Sequence, residues 1–539
     1  MAQQWHRRRD FLRVASSLVA GGAIGAVASL RDARASLALP QIAAGGTGSY
    51  DVRKFGATGD GKTIDSPAIN KAIDAAAAAG GGTVYFPAGS YLSYSIHLKS
   101  NIGLYLDHGA TIVAADPASS GTGGYDAAEP NQWDMFQDYG HSHFHNSLIW
   151  GEDLENISIT GPGRIWGKGL SRGTGTDTPK AENPGVANKS IALKNCHNIT
   201  LRDFSILHGG HFGILATAAD NMTIDNLTID TNRDGMDIDC CHNVRVSNCS
   251  VNSPWDDAIV PKSSYALGYA RTTERLTISD CFVSGSFQEG TLLDGTRKPF
   301  EQGVRVGHTG RIKFGTESNG GFKNVTITNC VFDACQGLAL ETVDGALLED
   351  FTISNITMRD IITCPIFLRL GARMRGPQGT PVGTLKRILI NNVVCSNSAS
   401  RISSIIAGIP GHPIEDVTIS DVHVLHQGGG TKEAAAIVVP EDEDKYPEPT
   451  MFGGMPSHGF FVRHAKNIEM RNIEIRAAQP DLRPAFVLED VQGSNFINVR
   501  ADMSQGVPTF SLKNIEDFNV NLSRPTPDTH IDKSAQQII

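Results

Sequence analysis

From about residue 100 onward the chain alternates apolar and polar positions in short runs separated by turn residues, the signature of strands with one buried face. One pattern recurs within these runs: apolar, any, Asn or Asp, apolar, any, apolar. It starts at Leu201, Ile224, Val246, Ile278, Ile327, Ile353, Ile390, Ile419 and Met470, at intervals of 23, 22, 32, 49, 26, 37, 29 and 51 residues. A base period of ~22–25 residues with occasional longer intervals is what a solenoid gives when insertions emerge at its turns. Short strands without helix signals at this period predict an all-β, right-handed parallel β-helix, each turn hydrogen-bonded to the next at ~4.8 Å around a central hydrophobic core. A β-propeller blade of ~40–50 residues and a leucine-rich repeat do not fit.

One helix precedes the strands. Ser66 as N-cap, Pro67 in the first turn, apolar Ile69, Ala72, Ile73 and Ala76, and Gly80-Gly81-Gly82 as the stop predict a helix over 66–79 that caps the open end of the solenoid. Cys249, Cys281 and Cys330 stand at the repeat position that Phe204, Leu227, Ile356, Val393, Val422 and Ile473 occupy elsewhere, so they are expected as small buried apolar side chains. The preceding Asn or Asp is expected to stack at a turn and bond the backbone of neighbouring coils. Three long segments break the period: Gly285 to His308, Leu370 to Thr384, and Gln427 to Gly459 with its acidic Pro440–Pro447 stretch.

The N-terminus changes the domain picture. Arg8-Arg9-Asp10-Phe11-Leu12-Arg13 matches a twin-arginine export signal, an apolar run follows to Leu30, and Ala33-Arg34-Ala35 is a cleavage site. Residues 1–35 are therefore read as a signal peptide and 36–539 as a single β-helix domain, folded in a bacterial cytoplasm and working in the periplasm or outside the cell. No later segment predicts a membrane span, and a monomer is expected. A formal net charge of -10 argues against nucleic acid as a partner. Nine cysteines, an odd number, cannot all pair in disulfides.

Chemistry concentrates between Ile224 and Lys262. Asp234 lies ten residues past Ile224 and Asp256 ten past Val246, with Asp257 beside it, so a stacked repeat places these acids on adjacent turns. Carboxylates so arranged suit glycoside hydrolysis, in which one acid protonates the leaving oxygen and another carboxylate activates water or attacks the sugar. Acids this close also push one another's pKa values apart. Turn formation, which Asp favours, is the alternative role.

Asn232-Arg233-Asp234-Gly235-Met236-Asp237 followed by Asp256-Asp257-Ala258-Ile259-Val260-Pro261-Lys262 resembles the Asn-x-Asp-Gly and Asp-Asp motifs of glycoside hydrolase family 28, the polygalacturonase and rhamnogalacturonase family. Phe55-Gly56-Ala57-Thr58-Gly59-Asp60-Gly61 is also typical of pectin-lyase-like β-helices. The resemblance implies an inverting hydrolase with Asp256 as general acid, Asp234 and Asp257 on the water, and Asn232 orienting the site. Asp237 and Asp239 are expected in packing or hydrogen-bonding roles. His308, in a stretch similar to the family's His-Gly motif with one residue inserted, is implied as the site histidine.

The chain departs from the family at its Arg-Ile-Lys motif, whose cations hold the substrate's carboxylate. Gly337-Leu338-Ala339-Leu340-Glu341 puts Ala339 and Glu341 where Arg and Lys would stand, and the literal Arg311-Ile312-Lys313 lies one turn too early. Glu341 is expected to repel a uronate, which makes a neutral or differently presented sugar the better candidate there. Lys262, Arg311, Lys313, Arg369, Arg373 and Arg375 could supply cations by another route, although each alone reads as a solvated surface charge.

The expected partner is therefore an acidic or rhamnose-containing plant polysaccharide or oligosaccharide, with neither cofactor nor metal ion required. Two other readings remain open: a calcium-dependent pectate-type lyase on the same fold, and a non-catalytic carbohydrate-binding β-helix.

Overall fold

A computed structural model describes residues 48–117, 124–172 and 182–539. The twin-arginine segment and its cleavage site lie outside the described residues. Thr47–Ile539 forms one unit, a right-handed parallel β-helix.

The repeat read from the sequence is one column of the solenoid. Leu201 pairs with Ile224, Ile224 with Val246, Val246 with Ile278 and Ile278 with Ile327. The column continues through Ile353, Ile390, Ile419 and Met470, every step parallel. Intervals as unequal as 22 and 51 residues thus span single turns, because the insertions leave at corners and the strands return in register. These side chains form the central core, with Cys249, Cys281 and Cys330 among them. All nine cysteines are buried and free.

The Asn and Asp turns have a specific cause. Asp203, Asn226, Asn248, Asp280, Asn329 and Asn355 all have φ between 54° and 71°, the left-handed region that Asn and Asp tolerate better than other non-glycine residues. Their side chains bond side chains of the adjacent coil rather than neighbouring backbone: Asn226 Nδ2 donates to Asp203 at 2.9 Å and Asn355 Nδ2 to Asn329 at 3.0 Å, while Asn248 Nδ2 donates to Asp225 at 2.8 Å. The expected backbone bonding is corrected to this side-chain ladder.

The capping helix spans Ser66–Ala78 and buries Ile69, Ala72, Ile73 and Ala76. Its N-cap is Asp65, not Ser66, and the Asp65 carboxylate makes no cap bond. It accepts instead from the Thr58 and Gly59 amides, tying the preceding loop to the helix start. At the other end Thr529–Ile538 pairs antiparallel with Phe510–Asn521, so the last coil is covered by a reversed strand. No helix among the described residues is long and apolar enough to cross a membrane.

The face that carries the chemistry is a separate parallel ladder: Ile96–His97, Ile149–Glu152, Lys189–Lys194, Phe212–Thr217, Asp234–Asp239 and Ile259–Lys262. Past it, Ile259 bridges Ile312, then Lys313–Phe314 pairs with Leu338–Thr342, and that strand with Ile366–Leu370. The turn that follows Asp257 therefore presents Arg311 and Lys313, and the turn after that presents Glu341.

Candidate active site

Adjacent-turn stacking brings the three acids together. The Asp257 amide donates to Asp234 Oδ1 at 3.3 Å across the turns, and the Gly235 amide to the Asp257 carbonyl at 3.0 Å. Gly235 is required by this closeness: a Cβ there would lie 2.3 Å from the Ala258 carbonyl oxygen. One carboxylate oxygen from each of Asp234, Asp256 and Asp257 falls within 4.8 Å of the others. Asp234 and Asp257 are buried, whereas the Asp256 side chain is 27% exposed and stands outermost.

Their surroundings differ sharply. Burial, then the nearby carboxylates of Asp237 and Asp256, hold Asp234 well above the usual carboxylate range. For Asp257 burial acts in the same direction, but Arg311 and Lys313 overcome it and hold the carboxyl below that range. Arg311 Nε donates to Asp257 Oδ1 at 2.8 Å, and Lys313 Nζ lies 3.5 Å from Oδ2. Asp256 pairs with Arg233 at 2.9 Å, and Arg233 also bonds the ring of His211 at 3.2 Å. Burial and Arg233 push His211 well below its ordinary value, so a neutral ring accepts that bond.

A second layer lies beneath Asp234. His141 Nε2 bonds Asp237 Oδ2 at 2.9 Å, and Lys262 Nζ approaches Asp237 at 3.9 Å while pairing with Glu317 at 3.0 Å. Burial and Lys262 would lower His141, but its bond to Asp237 and the nearby Glu317 carry it above its ordinary value. Asp239 accepts from the Ser264 amide and hydroxyl and from Thr217, a structural role as expected.

Several expected site residues change role in the structure. Arg311, Lys313, Lys262, Arg369 and Arg373 are buried side chains with specific partners, not solvated charges. Arg311-Ile312-Lys313 does lie one turn before Ala339 and Glu341, but that turn is the one that meets Asp257. Glu341 is fully buried, both its oxygens lack a hydrogen-bond partner, and Lys313 approaches only to 3.7 Å. Burial outweighs Lys313 and pushes Glu341 up to about 8, so at neutral pH it carries a proton. The expected repulsion of a uronate by Glu341 is therefore corrected. Arg373 binds Asp344 and Thr316 and braces the segment that follows Leu370.

Asn232, two residues before Asp234, is buried with its side-chain oxygen unpartnered. His308 is not brought to the acids by any hydrogen bond among the described residues. Its Nδ1 pairs with the Ser286 hydroxyl at 2.9 Å, and only the backbone two residues on, at Gly310, bonds the Asp256 carbonyl. Sequence reasoning missed His141, Arg233, Glu317, Tyr446 and Glu448. Only Arg233, inside the Asn232–Asp237 motif, carried a local signal.

Among the described residues, three groups of acidic and histidine side chains lie close enough to hold a cation: Asp234, Asp256 and Asp257; His141, Asp234 and Asp237; and Asp138, His141 and Glu317. In each, Arg or Lys already neutralises a member: Arg311 on Asp257, Lys262 near Asp237, and Arg375 on Asp138 and Glu317. That donor set suits proton transfer better than cation binding.

Residues 49–287 match the family described as rhamnogalacturonase A/epimerase, pectate lyase-like. A probable polygalacturonase of Vitis vinifera is 24% identical over 410 residues, covering 69% of this chain and 73% of that protein. These matches make the chain similar to polygalacturonase-like proteins at low identity. The exopolygalacturonase structure of Yersinia enterocolitica superposes with a TM-score of 0.60 at 18% identity, over 85% of this chain and 78% of that one, and so shares the fold. Plasmin and fibronectin-binding protein A of Streptococcus pneumoniae is 36% identical over 187 residues, 33% of this chain and 23% of that protein.

Proposed function

We propose that this protein is a secreted, inverting glycoside hydrolase that cleaves α-glycosidic bonds in pectic polysaccharide or its oligosaccharides, of galacturonan or rhamnogalacturonan type. The observation that carries the reading is the cluster of Asp234, Asp256 and Asp257, which places a proton-holding carboxyl and an ionised carboxylate side by side. Like-charged acids at this distance share a proton. In the free protein that proton resides toward Asp234, and Asp256, the outermost acid, delivers it to the leaving oxygen. Asp257, kept ionised by Arg311 and Lys313, takes the proton of the attacking water. Asp234 thus works as the proton reservoir rather than as a second base. The twin-arginine segment supports export to the periplasm or beyond.

Inversion rests on the family resemblance. The acid oxygens sit closer than the about 6.5–9.5 Å between the carboxyls of an inverting pair, so anomeric configuration is the measurement that decides it. The test is a panel of homogalacturonan, rhamnogalacturonan and short oligosaccharides, with products followed by NMR. Reducing ends of inverted configuration support the reading. Ultraviolet-absorbing unsaturated products that vanish with chelator would establish a lyase instead.

A second reading is a non-catalytic carbohydrate-binding β-helix; the partial likeness to plasmin and fibronectin-binding protein A, named for binding rather than catalysis, favours the absence of turnover and not the glycan. Binding of every glycan in the panel without turnover would establish it.

A further inference from the structure

The cations that ionise Asp257 have a second carboxylate on them. Glu448 Oε1, from the long segment 427–459, lies 2.5 Å from Arg311 Nη2 and 3.0 Å from Lys313 Nζ. Arg311 and Lys313 are sealed from solvent, whereas the Glu448 side chain remains 25% exposed. A ligand carboxylate arriving beside Asp257 would meet Glu448 where it would need a cation.

The segment that delivers Glu448 is pinned rather than loosely laid. Arg369 donates to the Glu441 and Asp442 carbonyls at 3.0 and 3.1 Å, and Arg463 to those of Val439 and Pro440 at 2.9 and 2.7 Å. Phe452, four residues past Glu448, is buried in an apolar cluster with Phe367, Ile405 and Phe461, and both guanidinium groups lie over its ring. Tyr446 covers Lys313, its ring 5.1 Å from Nζ. These contacts fix the segment on both sides of Glu448.

The local charge count closes without a ligand. Arg311 and Lys313 are balanced by Asp257 and Glu448, and Glu341 is protonated at neutral pH. Of the other cations nearby, Arg233 is taken by Asp256 and Lys262 by Glu317. A third carboxylate seated here would be buried among like charges without a partner, a cost a hydroxymethyl or methyl group does not incur.

We propose that Glu448 is a specificity-determining residue: a built-in carboxylate that fills the Arg311 and Lys313 cation pair, so that the sugar seated against Asp257 is neutral rather than a uronate. The inference rests on the hydrolase reading only for where the sugar sits. The experiment compares binding of methyl α-galactopyranoside and methyl α-galacturonopyranoside, which differ only at C6, to the full mature protein and to Glu448→Gln by calorimetry and ligand-observed NMR. The wild type is expected to bind the neutral glycoside tenfold or more tightly than the uronide. E448Q is expected to gain tenfold or more for the uronide with the neutral ligand unchanged.

A wild type that prefers the uronide, a variant with an unchanged ratio, or binding of neither ligand to either protein would overturn the inference. Should E448Q fail to fold, the wild-type ratio alone decides. Because binding is read without turnover, binding of the neutral glycoside by a protein that cleaves nothing would sink the hydrolase reading and leave this inference standing. Cleavage of homogalacturonan with a uronate in this position would do the reverse.

Discussion

The two flanks of the acid cluster each hold a buried aspartate and behave in opposite ways. On the Asp234 side the neighbours are carboxylates, Asp237 and Asp256, over a sealed floor, and burial drives the carboxyl toward its neutral form. On the Asp257 side the burial is as complete, but Arg311 and Lys313 touch both carboxylate oxygens and the charge is retained. Burial alone therefore does not set the protonation of an acid; the sign of the nearest partner does. One fold thus holds a neutral carboxyl and an ionised carboxylate side by side.

The contrast can be broken most severely at the acid that both flanks serve. Asp256→Asn is expected to lower turnover by about 10²–10⁴-fold, the usual range for a lost general acid, with the fold intact by circular dichroism.

The second largest effect compares the flanks directly. Asp257→Asn leaves two buried cations facing one remaining carboxylate and is expected to cost about 3–5 kcal/mol in chemical denaturation, the range for breaking a buried ion pair. Asp234→Asn replaces a carboxyl already held neutral and is expected to cost less than about 1.5 kcal/mol, as near-isosteric swaps do, while still depressing turnover. Equal destabilisation by the two would refute the assigned asymmetry.

Glu341 sharpens the same comparison through pH. Its folded value, about 8, lies above the ordinary 4.5, so the stability it contributes is fully present below 4.5 and is lost as pH rises through about 8. Glu341→Gln removes that loss, and thermal melting between those limits should fall less steeply with pH than in the wild type. The smallest effect is expected at His308, whose imidazole bonds Ser286 rather than an acid. His308→Ala should change turnover by less than about tenfold, equivalent to about 1.4 kcal/mol.

Much of this was legible along the chain because a β-helix repeats its environment once per turn. The nine repeat anchors form one unbroken column, and the ten-residue offset from column to acid correctly placed Asp234 and Asp256 on neighbouring coils. The helix face of Ile69, Ala72, Ile73 and Ala76 was equally plain, since its 3.6-residue spacing stands out against period-two strands. Arg311-Ile312-Lys313 was visible as letters but misjudged in role. Counting motifs placed it one turn early; only the Ile259 and Ile312 bridge shows that this early turn is the one against Asp257.

By itself the sequence determined what depends on local periodicity: the strand pattern, the stacking column, the capping helix and the pair of acid-bearing turns. The tertiary structure alone decided which charges meet. His141 reaches Asp237 across 96 residues and Glu448 reaches Arg311 across 137, by loops that obey no repeat. Protonation follows from burial and from the nearest opposite charge, and both are properties of the folded surface rather than of any stretch of chain. For that reason the letters displayed the acids, while the fold assigned the proton to Asp234 and the cation pair to Asp257 and Glu448.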